Sequence, residues 1–198
     1  CFILEYFDTA VQKAGKILTA LSGRSVITIG GLAGVGKSRW AGILKAALKM
    51  EGKRAHVICA DWWLKPGIER DEGDVLSRFK TSELVDFIAT VVGTKVESSY
   101  RLPFYDRQKR EILAQFHEIT VQKGDVFIVE GVPVLQPGLF SSDLALKIYL
   151  NCAEEVRKQR FIKEYVTRSY SQQDALALYE SRELDEHPLI KEFATTAE

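Results

Sequence analysis

The sequence predicts an α/β fold: a mostly parallel β-sheet in three layers, with helices on both faces. Three observations carry this. Short apolar runs rich in β-branched residues recur at residues 25–29, 54–60, 125–132 and 143–150, the signature of strands buried on both sides. Stretches with apolar residues at helical spacing alternate with them. The first run leads directly into Gly31-Leu32-Ala33-Gly34-Val35-Gly36-Lys37-Ser38, which fits G-x-x-x-x-G-K-[ST]. Strands alternating with helices give a parallel sheet covered on both faces, and ligands then sit beyond the carboxyl ends of the strands.

In chain order, residues 8–22 read as a helix, with Val11, Ala14, Leu18 and Leu21 on one face and Gly23 ending it. Ser25–Ile29 is the first strand, and the glycine motif that follows is a phosphate-binding loop. This places the chain in the three-layer P-loop NTPase fold. Arg39–Met50 is a helix with Trp40, Ile43, Leu44 and Leu48 at helical spacing, stopped by Gly52. Arg54–Ala60 is a second strand with Asp61 at its end, and residues 62–80 read as loop. Ser82–Val92 is a helix closed by Gly93, and residues 95–103 are irregular or a short hairpin. Arg107–Lys123 reads as a helix with Ile112, Leu113 and Phe116 inward. Asp125–Val132 and Asp143–Leu150 are the last strands, the former placing Glu130 at its end. Residues 153–168 and 171–183 are helices, the second N-capped by Ser171 with Asp174 three residues on. Together residues 153–183 suit a helical lid.

At 198 residues, the chain suits a single domain over residues 1–198. Basic and acidic residues number 27 each, so nothing marks it as a nucleic-acid or membrane binder. No apolar run is long enough to span a membrane, and no signal peptide stands out. Cys1, Cys59 and Cys152 lack metal-like spacing, which fits reduced cysteines in a cytoplasmic protein. The start at Cys1 leads us to expect an incomplete N-terminus. The oligomeric state is open, a homo-oligomer included.

The chemistry converges on one sheet edge. Gly31, Ala33, Gly34, Val35, Gly36, Lys37, Ser38 and Arg39 are candidates to hold the phosphates of ATP. The glycines let backbone N–H groups wrap an anion, and the helix N-terminus adds partial positive charge. Lys37 reaches the β- and γ-phosphates, and Ser38 ligates Mg²⁺. Asp61 is the candidate to hold an acceptor hydroxyl and take its proton, against the plainer reading of a loop or cap carboxylate. Aspartate is a weak base, which a loose transition state tolerates because the proton can leave late. Glu130 is a candidate to hold Mg²⁺ or polarise the acceptor site, against a strand-end salt bridge, and Gly131 beside it allows close backbone approach. Arg157 and Arg160 share a helix face, with Arg168 just beyond. They suit a lid over the phosphates, Arg160 acting in the transition state, or a solvated surface. Trp62 and Trp63 offer a stacking surface or core packing. Tyr105 and Asp106 offer a substrate contact, or Asp106 a helix cap. His56, His117 and His187 read as structural or surface residues, and no set resembles a metal site or nucleophile triad.

These residues resemble the uridine kinase, phosphoribulokinase and bacterial pantothenate kinase group of P-loop kinases, from about Val26 to the C-terminus. The group's D-x-F-Y-[RK] stretch stands as Asp61-Trp62-Trp63-Leu64-Lys65. The resemblance implies Asp61 as base and Lys65 as a phosphate or substrate contact, with Leu64 replacing the usual tyrosine. The P-x-Y-D element is Pro103-Phe104-Tyr105-Asp106, and the strand ending in E-G is Val129-Glu130-Gly131. The lid arginines correspond to Arg157, Arg160 and Arg168. Where uridine kinases carry a base-reading His and Arg, Arg110 and Ile112 stand here, and Tyr170 stands where a further lid Arg is frequent. Uridine is therefore not singled out. The group continues into a last strand, whereas this sequence stops at Ala197-Glu198, so a fifth core strand is expected to be missing.

The expected function is an ATP- and Mg²⁺-dependent kinase acting on a small-molecule hydroxyl acceptor: a nucleoside, a sugar or sugar phosphate, or a pantothenate-like alcohol. The alternative is a P-loop ATPase module activated by a protein partner. A GTP switch needs an N-K-x-D element, which is absent. A nucleotide-binding module without activity is disfavoured by the intact Lys37, Ser38, Asp61 and Glu130.

Overall fold

The computed structural model describes residues 12, 14–21, 23–70 and 75–194. Residues 14–21 form helix α1; Val11 of the expected first helix lies outside the described residues. Next come β1 (Val26–Gly30), α2 (Lys37–Met50), β2 (Ala55–Cys59) and α3 (Thr81–Val92). β3 (Ser98–Asp106), β4 (Glu111–Val121), β5 (Val126–Glu130) and β6 (Ala145–Tyr149) follow, then α4 (Glu154–Thr167), α5 (Gln172–Asp185) and α6 (His187–Phe193).

The core sheet has the order β2-β5-β1-β6, and every pairing is parallel. Every residue of β1 and β5 is buried, which is why both read as unbroken apolar runs and not as alternating ones. The period-2 alternation of the pleat still sorts their side chains into two packed layers. Ile27, Ile29, Val126 and Ile128 pack with Ala41, Leu44 and Leu48 of α2 and with Ala14 and Leu21 of α1. Val26, Phe127, Val129 and Ile58 pack on the opposite face with Leu84, Ile88 and Val91 of α3. Ile190 and Phe193 of α6, a helix with no strong sequence signal, close that second layer. The register sets Glu130 beside Cys59 and Ile29, so β1, β2 and β5 end together. Among the described residues this sheet has four strands; Ala197 and Glu198 lie outside them. No helix among the described residues is long and apolar enough to cross a membrane.

The expected helix over Arg107–Lys123 is not there. β3 and β4 form an antiparallel hairpin in their own two-stranded sheet. Its register shifts between Pro103, opposite Phe116, and Phe104, opposite Leu113, so Ala114 and Gln115 form a bulge. The inward residues of β4 are odd-numbered: Leu113, His117, Ile119 and Val121. Polar Gln115 interrupts that alternation, and the remaining Ile112, Leu113 and Phe116 imitate a helical stripe. Ile112 is 39% and Phe116 44% exposed, opposite to their expected burial. The β-branched run Ile119-Thr120-Val121 was the strand signal.

Two smaller differences bear on the site. Residues 62–80, read as loop, contain 3-10 turns at Gly67–Glu69 and Leu76–Arg78, and another spans Ala60–Trp63. Helix α2 starts at Lys37, two residues before the expected Arg39, because Gly36 serves as its N-cap in the left-handed region, φ 96°. The expected cap of α5 is present: the Ser171 hydroxyl accepts a hydrogen bond from the Asp174 N–H at 3.0 Å.

Candidate active site

The phosphate-binding loop is shaped by close packing that only glycine allows. Gly31 and Gly34 have φ of 136° and 81°. A Cβ on Gly31 would lie 2.4 Å from the Leu150 carbonyl oxygen, and one on Gly34 would lie 2.6 Å from that of Arg157. The loop is thereby wedged between Leu150, just after β6, and helix α4. The Lys37 Nζ donates to the carbonyls of Gly31 and Leu32 at 2.9 and 3.0 Å, folding its ammonium over the loop. Val35 turns its side chain into the core, so only its backbone is available to a ligand.

Ala33, Gly34, Gly36, Lys37, Ser38 and Arg39 border a cleft of about 360 Å³. Asp61 and Glu130 open into the same cleft, as the shared strand ends require. The Ser38 hydroxyl donates to Glu130 Oε1 at 2.9 Å. A hydroxyl and a buried carboxylate so paired are hard oxygen donors, the chemistry Mg²⁺ selects, and they fit the role expected of Ser38 and Glu130. From α4 and its C-cap, Arg160 and Arg168 reach this cleft. The Arg160 guanidinium hangs over Gly36, 3.9 Å from where a Cβ would be. Arg168 is held against Glu164 and over the Tyr165 ring.

One central residue carried no sequence signal of its own. Arg107, at the tip of the β3–β4 hairpin, donates to Asp61 Oδ2 at 2.5 Å and comes within 3.8 Å of Glu164 on α4. Burial lowers the pKa of this guanidinium, but the charges of Asp61, Cys59, Glu164 and Glu130 outweigh it and the net shift is upward. Arg107 directly follows Tyr105-Asp106, which is the signal that could have found it. Beside it, the Cys59 thiol is pushed far up, first by burial and then by Asp61 and Glu130. It stays protonated at neutral pH and supplies no nucleophile.

Other expected site residues are placed elsewhere. Trp63 is 3% exposed and packs in the core against Phe87, so the substrate-stacking role is corrected to core packing. Trp62 stacks on His117 at 4.1 Å, and burial lowers the pKa of that imidazole. Asp106 caps the hairpin turn, accepting from the N–H groups of Gln108 and Lys109 at 2.8 and 3.0 Å. Lys65 is outside the cleft lining; its backbone N–H donates to the Arg78 carbonyl at 2.9 Å. Tyr105 is buried beside the cleft with its hydroxyl bonded by Arg70.

Arg157 is also corrected. It is nearly fully buried, and its guanidinium is bidentate to Glu183 of α5 at 2.5 and 2.6 Å, under the Tyr179 ring. It clamps α4 to α5 and does not border the cleft. Replacing it with Met should cost about 2–4 kcal/mol, because Glu183 loses its bidentate partner and keeps only the contact with His187 at 3.2 Å among the described residues. Thermal unfolding checks this, and pH gives a second readout. The bonds from Arg157 hold the Glu183 carboxyl below its ordinary value of 4.5. The folded pKa lies below the unfolded one, so the stabilisation is complete above the ordinary value and drains as pH falls through the folded value. The difference between wild type and Arg157→Met should therefore shrink in acid.

Residues 27–183 match the AAA domain family along most of the chain. The chain belongs to the AAA domain family. This AAA domain is similar to the pantothenate kinase of Shewanella amazonensis, with 30% identity over 191 residues, covering 83% of this chain and 59% of that protein. The pantothenate kinase of Haemophilus influenzae is 29% identical over 156 residues, covering 71% of this chain and 49% of that protein. The AAA domain thus spans less than two thirds of these relatives' length. Its fold matches a protein of Silicibacter sp. TM1040 proposed to be a fructose transport system kinase, at TM-score 0.68, 20% identity and 93% and 94% coverage. It also matches a proposed uridine kinase of Bacillus stearothermophilus, at TM-score 0.59, 20% identity and 96% coverage of both chains. The resemblance to the P-loop kinase group is borne out in sequence and fold.

Proposed function

We propose that this AAA domain is the catalytic part of an ATP-dependent kinase that transfers the γ-phosphoryl group to a hydroxyl of a small metabolite. The observation that carries the reading is the convergence of Lys37, the Ser38–Glu130 pair, Asp61 and Arg160 on one cleft. The loop N–H groups and Lys37 bind the phosphates, and Ser38 and Glu130 hold Mg²⁺. When bound, Mg²⁺ neutralises charge on the phosphate oxygens. Asp61 orients the acceptor hydroxyl and takes its proton once Arg107 yields its place on the carboxylate. Arg160 neutralises the transferring group from the lid side. Nucleosides, sugars, sugar phosphates and pantothenate-like alcohols are the acceptor classes, and the names of the sequence relatives favour the last. A cytoplasmic location follows from this reading.

The AAA family match favours one other reading, an ATPase module activated by a protein partner. The two separate on what stimulates ATP turnover and on where the phosphoryl group goes. Arg160→Ala gives a further check, since an arginine that acts in the transition state contributes to kcat more than to nucleotide binding. We expect a fall in kcat of about 10–100-fold, with the Kd for ATP changed by less than about threefold. An unchanged kcat would return Arg160 to the solvated lid surface.

A further inference from the structure

The cleft lining holds a further group of cations that belong neither to the P-loop nor to α4. Arg70, Arg78 and Arg182 line the cleft from segments remote in sequence from the P-loop, and Arg110 acts on the Tyr105 hydroxyl. Two carboxylates pair with two of these arginines. Glu186 is nearly fully buried and is shared by Arg182 and Arg78, and Asp185 accepts from Arg78 at 3.2 Å. Arg70 is different. Among the described residues its partners are neutral: its Nε donates to the Lys65 carbonyl at 2.8 Å, and its Nη2 to the Tyr105 hydroxyl. Its guanidinium also stands over the Tyr105 ring, 5.2 Å from the centroid. These contacts fix the plane of the fork without neutralising it. Burial lowers its pKa, and the charges of Arg110, Arg182 and Arg78 add to that effect against Tyr105. A partly buried cation repelled by three others is a state that a bound anion relieves.

Members of this group lie within electrostatic reach of the proposed base. Asp61 acts on both Tyr105 and Arg182, while its own charge is taken up by Arg107. A ligand with a hydroxyl at Asp61 would therefore extend its far end toward Arg70.

We infer that Arg70, fixed by Tyr105 and backed by Arg182 and Arg78, is a receptor for an anionic group on the acceptor, so that the substrate is an alcohol bearing a carboxylate or a phosphate. The place of this group in a reaction rests on the kinase reading, whereas the anion site itself does not. Uncharged nucleosides and free sugars leave the arginine fork unmet. A carboxylate and a phosphate both present the paired oxygens that a guanidinium takes bidentately.

The test is a calorimetric titration with three matched probes: glycerol, glycerate and glycerol 3-phosphate. The protein is first loaded with Mg²⁺ and a non-hydrolysable ATP analogue, so that the P-loop is filled. Either anion should bind at least about tenfold more tightly than glycerol, and should weaken as salt is raised. Arg70→Gln should lose roughly tenfold to a hundredfold of that affinity. Arg70→Lys, which keeps the charge without the fork, should lose less, and it serves if the Gln variant folds poorly. The same titration on Lys37→Ala, whose P-loop is disarmed, separates the two anion sites without nucleotide. Preference between the two anions names the group carried by the acceptor. Anions that bind no better than glycerol, or equally well to wild type and both Arg70 variants, overturn the inference. Failure of the kinase reading looks different: the anion site persists, but no phosphorylated acceptor forms.

Discussion

Asp61→Asn should lower acceptor-dependent turnover by about 10²–10⁴-fold while nucleotide affinity stays within about twofold of wild type. The asparagine keeps the shape of the side chain but cannot accept the hydroxyl proton. Asp61 stands on the turn that follows β2, close to the end of β5 where Glu130 lies, and it borders the cleft without touching the P-loop lysine. The loss should therefore fall on kcat. Asp61 also neutralises Arg107, so the variant leaves that guanidinium with Glu164 at 3.8 Å as its remaining ion-pair partner. Both side chains are partly exposed, and a surface ion pair of this kind contributes only about 0–1 kcal/mol. A melting temperature close to wild type with turnover largely abolished is the expected pair of results. Normal turnover in Asp61→Asn would show that Asp61 only anchors Arg107.

Lys37→Ala should be more severe, removing both tight nucleotide binding and turnover, the latter by about 10³-fold or more. The Lys37 Nζ bonds the carbonyls of Gly31 and Leu32, which are the rim of the loop and not an outside partner. These bonds keep the ammonium over the phosphate cradle, where a bound nucleotide competes for it. Removing them should not collapse the loop. Its course is set by Gly31 against Leu150, by Gly34 against Arg157, and by Gly36 at the start of α2. Calorimetry with the ATP analogue, beside a thermal melt, separates the two effects. Tight binding in Lys37→Ala would contradict the role given to this lysine.

Much of the site was legible in the sequence because it rests on strand ends. A buried parallel strand reads as an apolar run with a change of composition at its end: β1 runs into the glycine motif, β2 through Ala60 into Asp61, and β5 ends in Glu130. Their order then placed the P-loop, Asp61 and Glu130 at one edge. The Ser171 cap was legible for the same local reason, a hydroxyl three residues before the N–H it accepts from. The hairpin was not legible, because the exposed bulge at Ala114-Gln115 broke the period-2 alternation of β4 and left three apolar residues at helical spacing. With the hairpin hidden, so was Arg107, which reaches Asp61 only because the chain turns back at that tip. Arg157 and Arg160 share a helix face by spacing alone. Only packing assigns the first to Glu183 and the second to the cleft. Arg70, Arg78 and Arg182 come from separate turns and a lid helix, and nothing local in the sequence brings them together.

The most direct test of the kinase reading is the fate of the γ-phosphoryl group. Mg²⁺ and ATP labelled in the γ-phosphate would be incubated with a panel of nucleosides, sugars, sugar phosphates, pantothenate and glycerate, with Lys37→Ala as the blank. ADP release and labelled products would be measured together. The account predicts that one acceptor class accelerates ADP release and carries the label as a phosphate ester, in equal amounts. ATP consumed only to free phosphate at a rate no acceptor changes would contradict it, and would make this AAA domain an ATPase.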